Sequence, residues 1–274
     1  MLIRWRVPLT IQWMVRLFIV FFIFFTAQRV ATLISFKPAG YSIAGLLPSF
    51  ILGIQYDLRW ISILLLPIVV LSFIPYCSPF GSIVAKKVWT NYLAVITIIL
   101  LIIFGADFGH FAYVSTRLNA SAMNFIEDPG ISFKMVWESY PIIWIFIGIV
   151  IVGGFFAWMY RNFYQQVMER NLIQELPYRR RWYGVILIIF IFNIWGKFSV
   201  KPLFWSDAFK LDDNFKSYLA LNPMQNFFTT YGFRKPEASE IKARQYFPVI
   251  NNFLELDKAN LNQFGFERNI LPSS

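Results

Sequence analysis

Apolar residues in this chain come in long runs broken by short polar stretches, which differs from the alternation of a half-buried strand and from the three-four spacing of a surface helix. A helix rising ~1.5 Å per residue needs about 20 apolar residues to cross the ~30 Å hydrocarbon core of a bilayer. Five segments meet that test: residues 13–36, a stretch within 43–76, a stretch within 88–108, residues 141–159 and residues 182–198. The pattern predicts an all-α, polytopic membrane protein of about five transmembrane helices, followed by an exported, partly helical tail.

The second segment is long enough for one tilted helix or for two short spans separated by Tyr56, Asp57, Leu58 and Arg59. Loop charge separates the two, because basic residues in short loops stay in the cytoplasm. With the N-terminus inside and one crossing here, Lys86, Lys87, Arg161, Arg170, Arg179, Arg180 and Arg181 all face the cytoplasm. Two crossings would export these seven. The single-crossing reading leaves Lys37, Arg117 and Lys134 in short outer loops and carries the C-terminus outside. Arg29 lies between the small residues Ala27 and Ala31, where a signal-peptidase site would need to be, so the first span is expected to stay attached. These features predict a multi-pass membrane protein with its N-terminus in the cytoplasm.

Composition agrees with the runs: 57% of residues are hydrophobic and 15% charged, against roughly a quarter charged in an ordinary soluble domain. The formal charge of +10 would suggest nucleic acid in a soluble chain. Here the basic residues flank the apolar runs, which points to membrane lipids, including anionic glycerophospholipid, and away from nucleic acid. Cys77 is the only cysteine, so neither an internal disulfide nor a multi-thiolate metal site can form. From Lys201 onward both charge signs mix with scattered aromatics. This shift divides the chain into a membrane domain, 1–200, and a tail, 201–274, with a helix expected within 236–256.

Ionisable residues inside apolar runs need partners or a wet site, since each costs about 2.5–3.5 kcal/mol at the bilayer centre on insertion scales. Tyr56, Asp57 and Arg59 in the second segment and Asp107 at the end of the third are such residues; Arg117 and Asn119 follow in the next loop. Two roles fit all six: polar contacts between helices, or contacts to a lipid headgroup, for which the arginine fork suits phosphate. Asp57 and Arg59, two apart on a helix, point toward different neighbours. His110 is the only histidine, and no glycine-rich phosphate loop, triad or carboxylate pair can be argued from spacing. A transporter or channel lined by Asp57, Arg59 and Asp107, or a free-standing scaffold, are the alternatives. Spans four and five offer such a path little beyond Asn193 and Lys197.

Three runs in this order, 50–59 (FILGIQYDLR), 113–119 (YVSTRLN) and 220–228 (ALNPMQNFF), resemble the N-terminal membrane half of the lipoteichoic acid synthase and phosphoglycerol transferase family. The resemblance implies five spans joined to an exported, sulfatase-like catalytic domain that uses a threonine nucleophile and a divalent metal. No nucleophile or metal ligand carries over to this chain, so it is expected to hold no cofactor. It would act as a non-catalytic membrane anchor and lipid-presenting domain, a truncated or split form or a subunit beside a separate catalytic domain or chain.

Overall fold

The computed structural model describes residues 7–127, 129–170, 179–233 and 240–254. Contacts divide the chain into two units, Met1–Tyr231 and Gly232–Ser274. The first holds α1 (Leu9–Phe36), α2 (Leu47–Leu71), α3 (Ile83–Val114), the single turn α4 (Asn124–Glu127), α5 (Pro129–Ser139), α6 (Ile142–Arg170), α7 (Arg179–Trp195), α8 (Asn214–Ala220) and most of α9 (Pro223–Phe233). In the second, α10 (Glu240–Leu254) falls inside the helix expected at 236–256. Among the described residues there is no strand.

Among the described residues four helices are long and apolar enough to cross a membrane: α1, α2 with the short turn before it (Ala44–Leu71), α3, and α6. Residues 44–71 form one continuous helix, and Tyr56, Asp57 and Arg59 lie within it without a break. The expected fifth segment appears as α7, 17 residues ending at Trp195. With 32 residues, α3 is ~48 Å long at 1.5 Å per residue, so its ends extend past a hydrocarbon core.

Local chemistry sets where these helices begin and end. Ser82 caps α3, its Oγ accepting from Ala85 N at 3.0 Å. Asp213 caps α8, accepting from Phe215 N at 2.7 Å and Lys216 N at 3.2 Å. Gly196, at φ +84°, turns the chain away from α7 in the left-handed region that favours glycine.

The first helix packs on α2, α3, α6 and α7. Its buried residues Met14, Leu17, Phe21, Phe25, Arg29 and Thr32 recur every three or four positions, one stripe of a helix. Aromatic rings fill much of the contact: Phe25 meets Phe104 edge-on at 5.0 Å, and Phe21 stacks on Tyr160 at 6.2 Å. The opposite faces expose Ile19, Ile23 and Ile34, as expected of helices solvated by lipid.

The polarity change at Lys201 does not coincide with a break in packing. Leu203, Ala208, Ala220 and Leu221 form a small core with Tyr56, so residues 203–231 fold with the helices of the first unit. The division expected at 200/201 follows composition, whereas contacts divide the chain after Tyr231. Residues 255–274 of the expected tail lie outside the described residues.

Candidate functional site

The most concentrated polar chemistry lies where α1, α2 and α3 meet the segment carrying α8 and α9. Asp57 of α2 accepts two hydrogen bonds from Arg29 Nη2 of α1, at 2.7 and 2.8 Å. Arg29 also donates to Gly53 O at 3.0 Å, to Ala220 O at 2.7 Å and to Leu219 O. Asn222 Nδ2 completes the site by donating to Asp57 Oδ1 at 3.0 Å. The guanidinium can come this close because residue 53 is glycine: a Cβ there would overlap it.

A second pair is built beside the first. Asp107 of α3 accepts from Arg117 Nη1 at 2.6 Å, Gln28 Nε2 at 3.1 Å and Leu118 N at 2.8 Å. Arg117 also donates to Thr32 Oγ1 at 3.2 Å and, through Nε, to Tyr218 O at 2.8 Å. Gln28, Arg29 and Thr32 share one helix, so α1 supplies one member of the first pair and bonds both members of the second, and successive carbonyls at 218, 219 and 220 receive the two arginines. Asn226 Nδ2 donates to Arg117 O at 3.0 Å and Leu118 O at 2.9 Å, binding α9 to the loop after α3.

All four charged side chains are sealed, at 0–2% exposure, and their formal charges cancel. Burial pulls the Arg117 guanidinium below its ordinary value, and the Asp107 carboxylate works against that shift. Arg29 Nε and Arg117 Nη2 are buried without a hydrogen-bond acceptor. Each such donor costs about 1–3 kcal/mol, so the network is kept at some expense of stability, as expected if its value is in specifying which elements meet.

The other candidate residues do different work. Tyr56 donates its hydroxyl to Phe204 O at 2.7 Å, tying α2 to the start of the docked segment. Arg59 faces α7: its Nε donates to Ile194 O at 2.8 Å and Nη2 to Trp195 O at 3.1 Å. A cation there satisfies carbonyls that a helix C-terminus leaves open and opposes the negative end of its dipole. Asn119 caps the turn after α3, accepting from Ser121 N at 2.9 Å.

The structure therefore brings Asp57, Asp107 and Arg117 into one network with Tyr56 at its edge, and places Arg59 and Asn119 at helix ends. Sequence reading left out Arg29, Gln28, Gly53, Asn222 and Asn226. Arg29 carried a usable signal, a lone charge inside an apolar run one span away from Asp57.

Chemically the arrangement is a clamp, with every carboxylate oxygen of the two aspartates already accepting a hydrogen bond. Among the described residues no group of three or more His, Cys, Asp or Glu side chains is placed to hold a metal ion. No protein-family model, curated protein or solved structure matches this chain.

Proposed function

We propose that this chain is the membrane anchor and lipid-presenting domain of a phosphoglycerol-transferase-like protein of the lipoteichoic acid synthase type, non-catalytic in itself. In this reading α7 is the fifth crossing, the N-terminus faces the cytoplasm of a bacterial cell, and residues 203–231 lie on the outer face. One observation carries it: the three runs behind the family resemblance converge on the ion-pair network. Asp57 of the 50–59 run bonds Asn222 of the 220–228 run, and Arg117 of the 113–119 run is held by Asn226. An anchor needs such a joint, since it must hold whatever follows at a set position over the bilayer. The sealed, mutually paired charges also count against a hydrated transport path through them. Because Tyr56, Asp57, Asp107 and Arg117 are occupied by protein partners, lipid contact in this reading belongs to exposed surface at the same end of the bundle.

Orientation is tested by single cysteines on a Cys77→Ser background, labelled in intact spheroplasts with a membrane-impermeant maleimide. Lys210→Cys is expected to label at once, and Lys87→Cys only after permeabilisation; the reverse order overturns the orientation. The genomic sequence around the codon for Ser274 tests the family reading. A continuation or neighbouring frame encoding an exported sulfatase-like metal core is expected, and unrelated genes on both sides would remove it.

A further inference from the structure

Beyond the end of α7 the chain makes a tight loop that holds apolar side chains outward. Gly196 turns it, with Gly196 N donating to Phe192 O at 2.9 Å. Trp195 then ties it from both sides: its carbonyl accepts from Leu203 N at 2.8 Å, and its indole Nε1 donates to Ser199 O at 2.7 Å. On this fixed frame Phe198 and Val200 are each 94% exposed. Two large apolar side chains held in water by a hydrogen-bonded loop would be a liability, so something covers them.

Two observations identify the cover. Phe198 meets Phe192 of α7 at 4.5 Å between ring centroids, so the loop continues the outward face of that helix, where Ile188 and Ile191 are also exposed. Lys197 and Lys201 bracket the two apolar residues, with Lys210 and Arg59 close by. Lys197 and Lys210 share the Asp207 carboxylate at 2.7 and 2.6 Å, while Arg59 bonds only helix carbonyls. Counted against Asp207 and against Asp212 and Asp213, which line the surface beside Lys210, these four cations still leave the rim of the apolar tip net positive. Its depth also fits: α7 spans ~25 Å from the basic 179–181 stretch to Trp195 at 1.5 Å per residue, a few ångströms short of the ~30 Å hydrocarbon core, so in a crossing α7 the loop beyond it falls at the edge of that core.

We propose that the 196–203 loop is an interfacial anchor: Phe198 and Val200 enter the acyl region just under the surface of the leaflet, and the exposed Lys201 and Lys210 meet the phosphates of anionic lipid, with Lys197 and Arg59 adding positive charge behind them. Long basic side chains reach headgroups while their stems stay apolar, and polybasic rims favour anionic leaflets. The inference rests on α7 crossing the membrane and names the lipid class and the surface that the proposed function leaves open.

The test uses the full chain with Cys77→Ser, carrying an environment-sensitive fluorophore at Val200→Cys or Ile188→Cys, in vesicles of phosphatidylcholine with increasing phosphatidylglycerol. Nitroxide lipids quench from either a shallow or a deep position, and iodide quenches from water. The label at 200 is expected to be quenched best by the shallow nitroxide and shielded from iodide, and the label at 188 best by the deep one. Lys201→Gln and Lys210→Gln should each raise the phosphatidylglycerol needed for half of the blue shift about fivefold, as ~1 kcal/mol per basic residue implies. A label at 200 open to iodide while that at 188 is quenched from the deep position overturns the anchor and leaves the crossing standing. Failure of deep quenching at 188 overturns the crossing and the anchor with it. A blue shift indifferent to phosphatidylglycerol overturns the anionic preference.

Discussion

Asp57 and Arg29 meet at 2.7 Å across two helices, with side chains no more than 2% exposed, and the same guanidinium reaches the backbone at 219 and 220. One arginine thus joins α1, α2 and the segment leading to α9. Removing either partner strands a buried charge, which typically costs about 3–5 kcal/mol. Asp57→Ala and Arg29→Ala are each expected to lower the unfolding temperature sharply in detergent, whereas Arg29→Met with Asp57→Leu should recover much of the loss. A double variant as unstable as the sum of the singles would show that the pair is not coupled.

Gly53→Ala tests the close approach on which the pair depends. Its methyl group would overlap a guanidinium already committed to acceptors at 53, 57, 219 and 220, so the side chain cannot swing aside freely. The substitution is expected to destabilise by about as much as overpacking does, 1–3 kcal/mol. In an Arg29→Ala background the same change should be nearly neutral, as read by a double-mutant cycle.

Gly196→Ala addresses the end of α7. The left-handed backbone costs a residue with a Cβ about 1–2 kcal/mol, and the new methyl would lie 2.8 Å from Leu203 Cβ. Loss of stability is expected together with faster proteolysis in the 196–203 loop. Unchanged cleavage would mean that the loop does not depend on this turn.

Asp207 predicts an acid-dependent contribution outside the spans. Burial raises its carboxyl, but hydrogen bonds from Lys197, Lys210 and Phe204 N outweigh that and bring it down to about 2, from 3.8. A depressed folded value means stabilisation that is complete above 3.8 and fades as pH falls toward 2. The stability difference between the unmodified chain and Asp207→Asn should therefore be constant near neutral pH and shrink across that window. A difference that persists at its lower end would place the effect elsewhere.

Asn222→Ala removes a donor to Asp57 and the cap that accepts from Gln225 N at 2.8 Å. Loss of about 1–3 kcal/mol is expected, with the docked segment rather than the spans becoming sensitive to limited proteolysis. Equal sensitivity of the α1–α2 region would show that the segment and the spans unfold as one unit.

The four long apolar helices were readable from residue order because lipid burial is close to a one-body property. Twenty apolar residues in a row have nowhere else to go, whatever their neighbours. The divergence of Asp57 and Arg59 was equally local, since helix geometry turns residues two apart away from each other. Their partners were not local. Arg29 and Asp57 are 28 residues apart, Asn222 and Asp57 165, and Arg29 and Leu219 190. Each of those contacts depends on how the helices register against one another, which no window along the chain encodes. The same reason explains the polar stretch after Lys201: composition marked it as leaving the membrane domain, but its carbonyls and asparagines complete charges buried among the spans, so packing keeps residues 203–231 with them.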